Sequence, residues 1–433
     1  MKFRFIQKKR KEESQNNLRN SRERLKLKFR RHKIYSLIDS MPPNLNKYVL
    51  NLKHGHLNGT IKKHPEDFIV EEITEDGIVL EVGKDIGFKD VEKWNGSFIQ
   101  FTLEKNNWNT MDAIGKIARA TKSRRKNFGF AGTKDKFAIT TQKVGCFGIK
   151  MEDLKKVNIP GITLRDIHKS NKKLRMGHLW GNRFTIKVRD VECSREELEN
   201  TLKNIKIEYV LNYYGIQRFG HYRPITHVVG KFIYQRDFES AFYTYCGTPI
   251  NEEGILKEAR ELVDNGEFKK ALELYPKRQN YERRMLEYYL RYKDFKKAFK
   301  ALPPQLNSMF VNAYQSYLFN EMINKRYEYG FEPMEGDILK DGVPTGVLYG
   351  YNTKFADGIQ GEIEKEIAER ENLDLKKFRI EDFGNFQGAR RKLIAKVYDF
   401  DCKIDDDGYV LKFKLRKGNY ATAVLREFIE KLE

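Results

Sequence analysis

Cysteine is scarce in this chain: four residues, Cys146, Cys193, Cys246 and Cys402, lie far apart and form no C-x-x-C pair. That spacing argues against a zinc ribbon and against a disulfide framework, and fits reduced thiols in a cytosolic protein. Long apolar runs are also missing. No stretch approaches the roughly 18 residues needed to cross a bilayer, and the basic N-terminus lacks the apolar core of a secretory signal. A cytoplasmic location without a membrane partner is expected. The eight histidines include the pairs His54/His56 and His221/His227 but no third ligand at metal spacing, so surface or hydrogen-bonding roles are expected and no metal. Nucleotide hydrolysis lacks its motifs. In "GTKDK" (Gly132–Lys136) no Ser or Thr follows the Lys as a P-loop requires, and Lys136 stands where a guanine-reading word needs Asp.

What the chain does have is positive charge. Lys and Arg number 82 against 61 Asp and Glu, a formal net charge of +21, and the imbalance favours a polyanionic partner, nucleic acid first. More than half of it is local. Residues 1–33 carry 14 Lys/Arg and 3 Glu, so the remaining 400 residues are only moderately basic. This segment, rich also in Asn and Ser, is expected to be an extension that orders on its partner or a solvated helix. A chain of 433 residues exceeds the usual size of one core, so two domains, or one domain carrying an insertion, are expected.

Apolar periodicity gives the order of elements. "DFIVEEI" (Asp67–Ile73), "FIQFTLEK" (Phe98–Lys105) and "NRFTIKVRD" (Asn182–Asp190) alternate as strands do. "NTMDAIGKIARATK" reads as a helix capped by Asn109 or Thr110, with Met111, Ile114, Ile117 and Ala118 on one face, and "SREELENTLKNIK" as a second capped helix. Beyond residue 211 the pattern turns mostly helical, and "FKKALELY" and "FKKAFKAL" recur at Phe268 and Phe295, a hint of similar paired helices. After "GARRKL" strands return as a hairpin turning at "DDDG", and "ATAVLREFIEKLE" closes as an amphipathic helix with Ala421, Val424, Leu425, Phe428 and Leu432 on one side. Sheet, helical block, sheet is the pattern of a domain interrupted by another.

The stretch "NFGFAGTKDKFAITTQ" (Asn127–Gln142) sets Asp135 between Lys134 and Lys136 after a glycine- and phenylalanine-rich run. A lone Asp on such a loop serves either as a turn residue bonded to its own backbone or as an ionised nucleophile or base kept charged by a nearby cation. The residues leave both open, as well as whether Lys134, Lys136 or a distant Arg pairs with it. Around it, Thr140, Thr141 and Gln142 offer polar groups and Phe128, Phe130 and Phe137 apolar walls, the two kinds of contact an RNA base needs.

"FGFAGTKDKFAITTQ" resembles the signature of the TruD family of pseudouridine synthases. Other words match in the family's order: "IKKHPEDFIVEEI", "LRMGHLWGNRFTIKVRD", "NYYGIQRFG", "AYQSYLFN" and "GNYATAVLRE", covering about residues 58–429. "FGHYRPITHVVGK" resembles the archaeal and eukaryotic branch, and the basic segment before residue 50 departs from the shorter bacterial members. The resemblance implies isomerisation of a uridine in tRNA, at position 13, to pseudouridine, without cofactor or metal, and Asp135 falls on the family's catalytic nucleophile. It implies that Phe184 lies against the target base and that Asn182, just before it, hydrogen-bonds near the catalytic carboxylate; the alternatives are a core residue of an alternating strand for Phe184 and a turn residue for Asn182. Lys62 and Phe68 match the family's first word, with Lys62 a contact to Asp135 or phosphate. Lys134, Arg218 and Arg426 are further candidates for substrate binding, Arg218 and Arg426 being as well suited to bracing the fold. Glu66 and Asp67 read as turn and capping groups rather than as glycosidase-like carboxylates.

The expected architecture is α+β: a pseudouridine-synthase-like catalytic domain on a mixed or antiparallel sheet, formed by residues 50–210 and 391–433, an α-rich insertion at 211–390, and a basic extension at 1–49. The partner is tRNA. The alternative is a non-catalytic RNA-binding or RNA-folding protein on the same fold, against which stands Asp135, an acid that would repel a phosphate-rich ligand. Oligomeric state is not legible.

Overall fold

In a computed structural model, residues 25–42, 47–51, 57–87, 96–203 and 205–430 are described. The first 24 residues, most of the basic segment, lie outside them, as does Leu432. The chain divides into two units, one of residues 1–48 and 213–393, the other of 49–212 and 394–433.

The second unit is built on a mixed ten-stranded sheet. Its strands are β1 (Thr60–Ile61), β2 (Phe68–Ile73), β3 (Phe98–Asn106), β4 (Phe128–Phe130), β5 (Ile139–Phe147), β6 (Ile162–Ser170), β7 (Gly181–Arg189) and β8 (Tyr209–Leu211), followed by the C-terminal hairpin of Ile394–Asp405 and Gly408–Arg416. The path runs β6, β3, β5, β2, β7, the second and then the first hairpin strand, β8, with β1 added to β7 and β4 to β5. All pairs are antiparallel except β2 with β5. The reason is in the alternation: Leu411, Phe413 and Leu415 are buried while Lys412 and Arg416 between and after them are exposed, so a single register satisfies the whole strand. Gly181 is forced by close approach. A Cβ there would stand 2.0 Å from the Leu415 carbonyl oxygen of the neighbouring strand, and this tight pairing fixes the following residue, Asn182.

The helix predicted after β3 runs Thr110–Ala120, with the Asn109 side chain accepting from the Met111 amide. Ala113, Ile114, Ile117 and Ala118 are buried, but Met111, expected on that face, is 42% exposed. In the first turn it projects away from the sheet. The C-terminal helix is also shorter than expected, Ala421–Leu425; Phe428 remains buried beyond it, held by turns rather than by helical periodicity.

The first unit is mostly helical from Thr226 to Arg326, with a small sheet around Val343–Leu348. The two similar words become the helices Phe268–Leu274 and Phe295–Ala298. Phe268 and Phe295 pack on the same rings, 5.9 and 5.2 Å from Phe242 and 4.8 and 4.4 Å from Tyr289. Residues 25–40 are helical and packed against the rest of this unit. Ile34 is buried, Arg30 meets Glu239 at 2.5 Å and lies over the Tyr243 ring, Lys33 meets Asp237 at 2.6 Å, and the Met41 carbonyl lies 2.9 Å from Nε2 of the buried His227. Two of the segment's cations are therefore used in docking it.

Candidate active site

Directly paired residues of neighbouring strands share a face of the sheet. Val70 stands opposite both Phe184 and Thr140, Glu72 opposite Asn182, Lys105 opposite Thr140, Leu103 opposite Gln142, and Phe413 opposite Phe184. One face therefore carries Phe68, Val70, Glu72, Lys105, Thr140, Gln142, Asn182 and Phe184. The other holds the Glu71–Arg183 ion pair (2.6 Å) and the Thr102–Asp166 hydrogen bond.

The loop Ala131–Ala138 lies over the first face and is tied to it at successive positions. Gln142 Nε2 donates to the Gly132 carbonyl (2.9 Å), the Lys134 amide donates to Thr110 Oγ1 (3.0 Å), and that hydroxyl donates to Gln142 Oε1 (3.0 Å). The Lys134 ammonium turns inward to Glu72 at 2.6 Å, both side chains buried, and the second Glu72 oxygen accepts from the Lys143 amide. Lys105 Nζ, fully buried, donates to the main-chain carbonyl of Asp135 at 2.5 Å. A loop pinned at this many points has little freedom, so the Asp135 carboxylate is presented from a rigid base.

That carboxylate is 37% exposed, and the Lys62 ammonium lies 3.8 Å from it. Lys62 also sits 4.0 Å from the centre of the Phe68 ring, which holds it by cation–π attraction. Its backbone is left-handed, φ 57°, a conformation uncommon for a residue with a Cβ and found disproportionately at functional sites. Phe68 meets Phe184 edge-on (6.5 Å), and Phe184 stacks on Phe413 (5.3 Å). Phe184 is 7% exposed and belongs to the apolar core of this unit. Beside it, Oδ1 of Asn182 and Oγ1 of Thr140 are buried without a hydrogen-bond partner among the described residues. Such orphaned acceptors cost stability and are natural points for a ligand N–H.

The sequence candidates thus separate. Asp135, Lys62, Phe68, Phe184 and Asn182 come together in one unit, on or above one sheet face. Lys134 is adjacent in sequence, but its charge is consumed by Glu72. Arg426 follows the last helix, half-buried. Arg218 belongs to the first unit, where Nε donates to Ser316 Oγ at 3.0 Å. Asp67 caps its turn as expected, accepting from the His64 amide (2.8 Å) and pairing with Arg189 (2.7 Å). Burial alone would raise its pKa, but these two partners outweigh it and hold the carboxyl below the usual range. Lys105 and Glu72 were missed. A signal existed: Ile99, Phe101, Leu103 and Lys105 share the strand's apolar face, and a lysine that continues a core stripe asks for a reason. Among the described residues no group of three His, Cys, Asp or Glu is arranged to hold a metal, and no helix is long and apolar enough to cross a membrane.

A mixed sheet of this topology, interrupted by a mostly helical unit, is the fold of a pseudouridine synthase with an insertion domain. The family model of tRNA pseudouridine synthase D (TruD) matches residues 44–342 and 339–428, and the chain belongs to that family, whose members are isomerases. It is 68% identical over 388 residues to a Methanococcus maripaludis protein named probable tRNA pseudouridine synthase D 2, covering 90% of this chain and 99% of the relative. It is 61% identical over 393 residues to the probable tRNA pseudouridine synthase D 1 of Methanocaldococcus jannaschii, covering 90% and 100%. A crystal structure described as a tRNA pseudouridine synthase D of Methanosarcina mazei superposes with a TM-score of 0.70 at 34% identity, covering 88% of this chain and 96% of that one.

Proposed function

We propose that this protein converts a uridine of tRNA, at position 13, to pseudouridine, with Asp135 as the group that acts on the ribose. The observation that carries this reading is a half-exposed carboxylate on a loop pinned to the sheet, with the Lys62 ammonium 3.8 Å away. The target nucleotide must leave its stack to reach such a group. Asp135 then breaks the C1′–N1 bond, by attack on the ribose or by removing a ribose proton. The released uracil turns and C5 bonds to C1′, as the Asp135–C1′ ester bond breaks in the first route or the abstracted proton returns to the ribose in the second. C5 then loses its proton and N1 gains one, so that product and substrate are isomers and no co-reactant is consumed. Phe68 and Phe184 form the apolar floor for the base, and the buried Oδ1 of Asn182 accepts from its N–H. Lys62 holds the carboxylate and meets the incoming phosphate or ribose, while Arg218 and Arg426 serve RNA binding elsewhere on the chain.

The test is Asp135→Asn, which keeps shape and removes charge. Incubated with unmodified tRNA transcripts and read by carbodiimide-stop sequencing, the variant is expected to bind tRNA and leave U13 unmodified. Wild-type conversion by the variant would sink the mechanism. A wild-type protein that binds tRNA without forming pseudouridine would favour an RNA-folding role instead.

A further inference from the structure

We infer that Lys105 is a positioning residue for Asp135, acting from beneath the loop through its main-chain carbonyl and through its charge. The inference rests on the reading of Asp135 as the reacting group.

A buried ammonium is expensive unless a carboxylate neutralises it. Lys105 is fully buried at the end of β3, and among the described residues no carboxylate lies within 4.0 Å of its ammonium. Glu72, the buried acid on the same face, is taken by Lys134 at 2.6 Å. What Lys105 has instead is one strong hydrogen bond, to the carbonyl of Asp135. The residue opposite it on β5, Thr140, has a buried hydroxyl without a partner among the described residues. A leucine or methionine at position 105 would continue the stripe of Ile99, Phe101 and Leu103 at lower cost. The arrangement is understandable if the charge is wanted under Asp135.

Two consequences follow from the geometry. The hydrogen bond fixes the peptide that carries the Asp135 side chain, and so fixes where the carboxylate points. The charge adds a second cation near Asp135 besides Lys62. The groups around the Lys105 ammonium are Asp135 and Lys134 on the loop, with Lys62, just after β1, and Glu72 of β2 meeting the same loop. Burial lowers the Lys105 ammonium most, Asp135 opposes this and Lys134 adds to it, leaving it at about 8. Its proton is therefore lost within the range where an enzyme can be assayed.

The experiment compares wild type, Lys105→Met and Lys105→Gln in single-turnover pseudouridine formation on a tRNA transcript, with tRNA affinity and melting temperature measured alongside. The expected result is a fall in the chemical rate on the order of 10²-fold, the scale of losses when a reacting group is misplaced, with Kd for tRNA within about 3-fold because Lys105 is buried and touches no ligand. In the wild type the rate should decline above pH 8 and the decline should be gone in Lys105→Met. A folded Lys105→Met with wild-type rate overturns the inference. If both variants fail to fold, the wild-type profile decides: a rate flat from pH 7 to 9.5 overturns it, and a decline centred near 8 sustains it. Asp135→Asn serves as the reference. Should that variant remain active, the reading of Asp135 falls; should it be inactive while Lys105→Met is not, only the role of Lys105 does.

Discussion

Lys134, the residue before Asp135 in the chain, directs its ammonium to Glu72 at 2.6 Å, and the cation beside the Asp135 carboxylate is Lys62 at 3.8 Å. Adjacent lysines in sequence thus have separate tasks: one anchors the loop, the other, Lys136, is exposed.

The anchoring pair is buried, so removing one partner leaves an uncompensated charge, a cost of about 3–5 kcal/mol. Lys134→Met and Glu72→Gln are each expected to lower the midpoint of chemical denaturation clearly, and Lys134→Met/Glu72→Met together to cost less than the sum of the single replacements. Strict additivity in the cycle would mean that the two groups do not stabilise one another.

Lys62 is accessible and lies between Asp135 and the Phe68 ring. Lys62→Met is expected to reduce kcat by roughly 10- to 100-fold through loss of alignment while the melting temperature stays within a few degrees. A variant with normal kcat and reduced tRNA affinity would make Lys62 a phosphate contact only.

His227 carries an acid sensitivity. Burial pushes its imidazole down to about 4, against the Met41 carbonyl and with Lys231 assisting. Below pH 6.5 the unfolded chain takes up a proton that the folded one refuses, so this residue lowers stability as pH falls from 6.5 to 4 and has no effect above. Asp264 works oppositely. Its burial raises it to about 6, so the folded state gains the proton first and stability rises between pH 6 and 4. The contribution of His227 is therefore read as a difference: thermal midpoints of His227→Gln should fall less between pH 7 and 4.5 than those of the wild type. Parallel slopes would remove His227 from the account.

The helix at 25–40 leaves Lys26 and Lys28 exposed while Arg30 and Lys33 hold it to its unit. Replacing Lys26 and Lys28 by Glu should weaken tRNA binding and make the slope of log affinity against log salt shallower by about 1–2. Deleting residues 1–33 should flatten it further, at the cost of the packing of that helix. An unchanged slope in the double replacement would assign the exposed face to another partner.

Much was legible beforehand because strands and helices write themselves as short periods. The alternation of Leu411, Phe413 and Leu415, the Asn109 cap and the hairpin at "DDDG" are local features, set within a few residues of each other, and the structure keeps them. Where local pattern met long-range packing it failed: Met111 satisfied the helical period yet faces outward, because the sheet covers a narrower arc than the sequence suggested, and the last helix stops at Leu425, because Phe428 reaches its core through a turn.

The sequence by itself determined the order of elements, the family to which the words around Asp135 point, and the presence of an acid among cations. Which cation serves that acid was decided only by the tertiary structure. A lysine's side chain spans several ångströms and its partner is chosen by where strands pair, so β1 and β2 bring Lys62 to the carboxylate, Glu72 draws Lys134 away, and β3 places Lys105 beneath. No spacing in the chain encodes those three pairings, since each joins residues that only the register of the sheet makes neighbours.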